Sequence, residues 1–160
     1  MESIANKLVE TLIEKRLTIA AAESCTGGLV SSKITSVSGS SVVISFSMVS
    51  YSNEVKIEKL GVKQKTIQDF GAVSEQTARE MAQRIKLLAE ADVGVGVTGV
   101  AGPSQSEGKP VGLVFVAVAL EDKTIAERLN FGELTREEIR EKAAEKALEL
   151  VLKGVTDGTK

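Results

Sequence analysis

Short apolar runs alternate with amphipathic stretches along the chain, and most are closed by glycine, serine or asparagine. Ile4, Leu8 and Leu12 form one line at helical spacing and Ala5, Val9 and Ile13 the adjacent one. They predict a helix over 3–15 with Ser3 as its cap. Leu17 to Ala22 reads as a buried strand, and Gly27 to Val37 as a helix with Leu29, Val30 and Ile34 turned inward. Val42 to Tyr51 is rich in β-formers and alternates in its later part, which predicts a second strand. Short helices are expected over 53–60 and 65–70, stopped by Gly61 and Gly71. Ser74 caps a longer central helix that buries Ala78, Met81, Ala82, Ile85, Leu88 and Ala89. Val93 to Val97 is almost wholly apolar, as in a sheet covered on both faces. Val111 to Ala119 and Thr124 to Phe131 form an antiparallel hairpin around Glu121-Asp122-Lys123, and 135–152 a terminal helix. Five strands and at least four substantial helices fit one α/β domain built as a three-layer α/β/α sandwich. The domain is expected over 1–153, with 154–160 a flexible tail.

Composition narrows the function classes. With 42% hydrophobic and 26% charged residues, the 160-residue chain has the make-up of a globular domain. A net charge of −2, no basic stripe and 3% aromatics give no support to a nucleic-acid partner. No run approaches the ~18 apolar residues of a membrane span, so no membrane partner is expected. The N-terminal stretch is a helix with spaced charges and not a signal peptide, and cytoplasmic residence is expected. Cys25 is the single cysteine and histidine is absent, so no internal disulfide, no metal site and no cofactor are expected.

Candidate chemistry gathers where the first strand ends, at Glu23-Ser24-Cys25-Thr26 followed by Gly27-Gly28. The free amides of a first helical turn favour developing negative charge. Ser24 there is either a nucleophile with an oxyanion site beside it, or, like Thr26, a helix cap. Without histidine a Ser-His-Asp triad is impossible, so the base must be a lysine, a tyrosine or a carboxylate. Tyr51 and Lys56 stand at and just past the second strand. Lys56 serves only if neutral, which requires burial or a nearby cation to lower its pKa. Glu23 is a surface carboxylate or the orienter of a lysine or substrate amide. Cys25 is a buried filler or a competing nucleophile. The loop 98–110 follows a central strand, and Thr98, Gly99 and Gly102 can hold a phosphate through amides and a hydroxyl. Neither a P-loop nor a dinucleotide fingerprint is present. Arg128, Arg136 and Arg140 are candidate anion clamps.

Taken together, Ala22-Glu-Ser-Cys-Thr-Gly-Gly-Leu29, Tyr51-Ser-Asn-Glu-Val-Lys56, Gly71-Ala-Val-Ser-Glu75, Val97-Thr-Gly-Val-Ala-Gly-Pro103 and Lys109-Pro-Val-Gly-Leu113 resemble the nicotinamide-nucleotide amidohydrolase family. That family is also known as the C-terminal domain of the competence/damage-inducible CinA proteins. The resemblance covers roughly residues 5–152. It implies a mixed, mostly parallel five-stranded sheet, a homodimer, and deamidation of nicotinamide mononucleotide to nicotinic acid mononucleotide and ammonia. By motif position Ser24 matches the nucleophile, Lys56 its base and Tyr51 a tyrosine beside the site. An arginine of the C-terminal region also contributes. The stretch 131–140 departs from the family's shorter form; Arg140 is the preferred catalytic match, with Arg136 as a substrate contact. The amides of Cys25, Thr26 and Gly27, with Gly28 behind them, are expected around the oxyanion, and Glu23 near the substrate. The 5′-phosphate is expected on the loop 98–104, or on Gly71 to Ser74. Some family members carry an N-terminal domain whose metal-dependent activity is not carried over. Two alternatives stand beside this reading: an amidase for another small amide, and a catalytically silent nucleotide- or partner-binding module.

Overall fold

The computed structural model describes residues 2–157. Ser3 caps α1 (Ile4–Lys15), its Oγ accepting the Asn6 N–H at 3.1 Å. There follow β1 (Ile19–Glu23), α2 (Leu29–Thr35), a 3-10 turn (Ser40–Val42), β2 (Met48–Val49), and α3 (Asn53–Val55) running into a π-helical turn (Lys56–Leu60). The rest of the chain forms α4 (Gln64–Phe70), α5 (Glu75–Ala89), β3 (Val93–Gly99), β4 (Leu113–Ala119), β5 (Thr124–Asn130) and α6 (Arg136–Asp157). The sheet order is β2-β1-β3-β4-β5. β1 pairs in parallel with β2 and β3, and β4 pairs antiparallel with β3 and β5. Only β4 therefore runs against the others, and the sheet is mixed and mostly parallel in direction. α1, α2 and α6 cover one face and α5 the other, giving the three layers.

β3 shows how the sequence sets the layer spacing. Val93, Val95 and Val97 fill the core beneath α1 and α6. Gly94 and Gly96 point the other way, where a Cβ would lie 2.1 Å from Ala82 O and 2.3 Å from Ala78 O. These glycines let the backbone of α5 rest directly on the strand, and side chains there would push the helix off the sheet. Gly96→Ala is expected to destabilise the fold by about 2–3 kcal/mol through forced overpacking, read from the urea midpoint.

The structure corrects three boundaries. Val42 to Tyr51 is not one strand; only Met48–Val49 joins the sheet, with Ile44 making an isolated bridge to Ile19. Here Ser47 Oγ, not a backbone carbonyl, accepts the Ala21 N–H at 3.1 Å, so a side chain replaces a rung of the ladder. Gly27 and Gly28 are left-handed (φ +56° and +106°) and precede α2 instead of opening it. α6 continues to Asp157 and buries Gly154 and Val155, so 154–157 belong to the domain. The remaining residues of the expected tail, 158–160, lie outside the described residues. Among the described residues no helix is long and apolar enough to cross a membrane.

Candidate active site

The carboxyl ends of the parallel strands β2, β1 and β3 deliver Tyr51, Ser24 and Thr98 to one cavity of about 500 Å³. This is where open α/β sheets place their ligands. Ser24 follows β1 directly and extends its ladder, its N–H donating to Val97 O at 3.0 Å. The expected residues Cys25, Lys56, Gly99, Gly102 and Arg136 also line this cavity.

Glu23 is not a substrate contact. It is 1% exposed and turned back beneath the turn that follows it. One oxygen accepts the Gly28 and Val30 N–H groups at 3.1 and 2.9 Å and the Thr26 hydroxyl at 2.6 Å. The other accepts the Ser31 N–H and hydroxyl at 2.9 and 2.7 Å. Gly28, at the cap position of α2, has no side chain to satisfy the helix's first amides, and Glu23 does so from outside. Ser24 therefore does not cap the helix, and Thr26 spends its hydroxyl on Glu23. Neither Thr26, Gly27 nor Gly28 lines the cavity. The Gly27 N–H donates to Ser24 O at 3.1 Å, which removes it from the expected oxyanion donors. Among the described residues the Thr26 amide has no hydrogen-bond acceptor, while the Cys25 amide is turned to its own sulfur.

Lys56 reaches the serine from below. It is 1% exposed, its Nζ lies 3.0 Å from Ser24 Oγ, and it donates to the Tyr51 carbonyl at 2.8 Å. Ser52 caps the short helix that carries it, Oγ accepting the Val55 N–H at 3.1 Å. From Lys56 the helix widens: the Gly61 N–H reaches back five residues to Lys56 O at 3.0 Å, a π-turn of the kind found at functional sites. Burial lowers the Lys56 pKa from 10.5 to about 8, opposed by the Glu107 carboxylate; Cys25 would oppose it only as a thiolate. Burial, not an arginine, therefore makes the amine available as a base. Nζ donates to Ser24 Oγ and the serine hydroxyl to Tyr51 O at 3.4 Å; once neutral, the amine has a lone pair with which to take the Ser24 proton. Cys25 is pushed up to about 12 by burial and stays a thiol beside the serine.

The two arginines lie one turn apart on α6 and have separate surroundings. Arg136 lines the cavity, donating to Tyr51 Oη at 3.1 Å and to Gly102 O. Arg140, the preferred catalytic candidate, stands behind the turn: Nε donates to Cys25 O at 3.0 Å and Nη2 to Thr26 O at 3.1 Å. It does not line the cavity. Its effect runs through the backbone, because a planar peptide points its N–H opposite to its carbonyl. Pinning Cys25 O to Arg140 turns the Thr26 N–H away from the arginine. A Cβ on Gly27 would lie 2.9 Å from Arg140 Nη2, so the clamp also requires that glycine. Arg128 stands on β5 opposite Phe115, away from the cavity.

The expected phosphate grips divide in the same way. Ser74 caps α5, accepting the Thr77 N–H at 3.1 Å and donating to Gly71 O at 2.9 Å, and does not line the cavity. The neighbouring amides of Ala72 and Val73 are held by the Glu107 carboxylate. Thr98 lines the cavity, but its hydroxyl donates to Ala72 O at 2.8 Å and ties the two loops together. Asn53 lines the cavity from outside every stretch expected there, and Ser106 and Glu107 do so from the loop 98–110. Gly108 in a Ser/Gly/Pro-rich loop marks a turn there, but no local signal tells where the Glu107 carboxylate reaches.

The family model for the CinA C-terminal domain matches residues 1–155. The chain belongs to the CinA C-terminal domain family. A CinA-like protein of Kosmotoga olearia is 46% identical over 155 residues, covering 96% of this chain but 37% of its own length. A putative competence-damage inducible protein of Acetivibrio thermocellus is 52% identical over 120 residues, 74% of this chain and 28% of its own. This CinA domain thus spans between about a quarter and little more than a third of the length of these curated relatives. Solved structures match it end to end. The competence/damage inducible protein CihA of Agrobacterium tumefaciens has a TM-score of 0.88 at 36% identity, covering 98% of both chains. A CinA superfamily protein of Klebsiella pneumoniae has a TM-score of 0.93 at 27% identity, covering 96% of both.

Proposed function

We propose that this CinA domain is a serine amidohydrolase that deamidates nicotinamide mononucleotide. The observation that carries the chemistry is the buried amine of Lys56, 3.0 Å from Ser24 Oγ at the wall of an open cavity. The substrate comes from the family resemblance. Neutral Lys56 takes the Ser24 proton as Oγ attacks the carboxamide carbon. The oxyanion is received at the start of the turn, where Cys25 lines the cavity and Arg140 holds its carbonyl from behind. As the C–N bond breaks, the Lys56 ammonium gives its proton to the leaving nitrogen, which departs as ammonia. Water then attacks the Ser24 ester with Lys56 again as base, releasing the carboxylate and restoring the hydroxyl. Tyr51 Oη and Arg136 form the outer edge of the cavity, and Arg136 is the cation for the 5′-phosphate.

The substrate assignment is tested by ammonia release from nicotinamide mononucleotide, its dephosphorylated nucleoside and free nicotinamide. Preference for the phosphate ester, with KM raised about 10- to 100-fold in Arg136→Ala and kcat moved less, is the expected pattern. Equal turnover of all three amides, or an Arg136→Ala enzyme that keeps the preference, overturns the phosphate assignment. Binding of the nucleotide with no ammonia released favours the silent binding module.

A further inference from the structure

Residues 106–109 make a tight turn at the rim of the cavity, the Lys109 N–H donating to Ser106 O at 2.8 Å. Both central residues are left-handed, Glu107 at φ +55° and Gly108 at +71°. That backbone suits asparagine or glycine at the first position, and a glutamate there costs about 1–2 kcal/mol. Its reach offsets the strain. The Glu107 carboxylate accepts the Ala72 and Val73 N–H groups at 2.8 and 3.0 Å. Lys109 donates to Phe70 O at 2.9 Å and to Val73 O, and lies 3.3 Å from Glu107 Oε1. One hairpin thus supplies a carboxylate to the donors and an ammonium to the acceptors of the segment 70–73. Gly71 leaves room for the clip: a Cβ there would lie 2.7 Å from both Glu107 Oε1 and Lys109 Nζ. The segments it joins, 72–73 and 98–107, line the cavity with Ser24 and Lys56.

Among the described residues Glu107 is the one carboxylate that lines the cavity with Lys56, while Arg84 of α5, packed on the π-turn, donates to Leu60 O at 3.0 Å. The titratable groups that line the cavity with Lys56 are Cys25 from the turn after β1, Tyr51 from the end of β2, Glu107 from the hairpin and Arg136 from α6. Lys109 pairs with Glu107 at the rim. Cys25 is a neutral thiol throughout the range in which Lys56 titrates, because burial holds its pKa near 12. Glu107 is ionised there: burial opposes this, but the amides of Val73 and Ala72 and the Lys109 ammonium outweigh it and hold its carboxyl below the usual value. Arg136 is cationic.

We propose that Glu107 is a positioning residue of the serine–lysine pair: clipped to the segment 70–73, it fixes one wall of the cavity and keeps a negative charge near the buried amine. This rests on the serine–lysine reading above. The charge counteracts burial and keeps Lys56 from becoming too weak a base for the serine proton.

Glu107→Gln keeps the side-chain length and removes the charge. The test is the titration midpoint of Lys56, read by NMR of lysine labelled with carbon-13, together with the acid limb of kcat/KM. Both are expected to move to lower pH in Glu107→Gln by roughly half a unit. In Lys109→Met, which removes a positive charge and leaves the carboxylate, both move to higher pH. Midpoints unmoved in both variants, with native circular dichroism, overturn the proposal and leave a purely mechanical clip. Should Glu107→Gln fail to fold, the Lys109→Met midpoint decides alone. The NMR titration needs no turnover. Failure of the amidohydrolase reading shows separately, as equal ammonia release by parent and Ser24→Ala.

Discussion

Replacing Lys56 by methionine lowers ammonia release about a thousand-fold and leaves the protein more stable than its parent. The first effect follows from the loss of the one base that, among the described residues, bonds to Ser24 Oγ, for Tyr51 turns its hydroxyl to Arg136. The second follows from linkage. Lys56 titrates at about 8 in the fold against 10.5 when exposed, so between those values the unfolded chain holds a proton that the folded chain has lost. Stability of the parent therefore rises with pH across that window, and below about pH 8 the buried ammonium carries its full cost of about 3 kcal/mol. Methionine has similar length and carries no such cost. Urea unfolding at pH 7 is expected to place Lys56→Met above the parent, with the gap closing toward pH 10.5. The same titration governs activity. kcat/KM of the parent rises with pH as Lys56 loses its proton, with a midpoint near 8, and this limb is absent from the residual activity of Lys56→Met. A variant that is inactive and also less stable would assign Lys56 to packing.

Glu23→Ala is expected to cost about 3–5 kcal/mol, a large share of the stability of a domain this size. The carboxylate is the acceptor for the Gly28, Val30 and Ser31 amides and for two hydroxyls. Truncation strands these donors beneath the turn, and each buried unpaired donor costs about 1–3 kcal/mol. Glu23→Gln is little milder, because its amide nitrogen presents hydrogens to donors. Urea midpoints for the three proteins check this. Stability within about 0.5 kcal/mol of the parent would mean that α2 is held by something other than its carboxylate cap.

Helices whose caps are local were legible in the chain: Ser3 and Ser74 stand where the spacing put them and bond as caps do. The small residues at 94 and 96 also read correctly as strand, and their role as a seat for α5 emerges only once the helix is docked. Val42 to Tyr51 failed because β-propensity is local and pairing is not. This segment lies at the sheet edge, where Ser47 competes with the ladder and Phe46 and Val49 remain exposed. Glu23 was read as a surface or substrate group, although two glycines before a helix leave its amides needing an acceptor from elsewhere. Arg136 and Arg140 could not be separated in one dimension. At i and i+4 they share a helix face, and only the partners met one turn apart separate Arg136 in the cavity from Arg140 behind the turn. The burial of Lys56, which decides its chemistry, depends on the packing of the π-turn against α5 and has no local signature.

The most direct measurement is ammonia release from nicotinamide mononucleotide by the purified, chelator-treated protein, with Ser24→Ala alongside. Release by the parent and none by Ser24→Ala is the expected result. Release by both proteins contradicts a serine nucleophile, and release by neither contradicts the amidohydrolase.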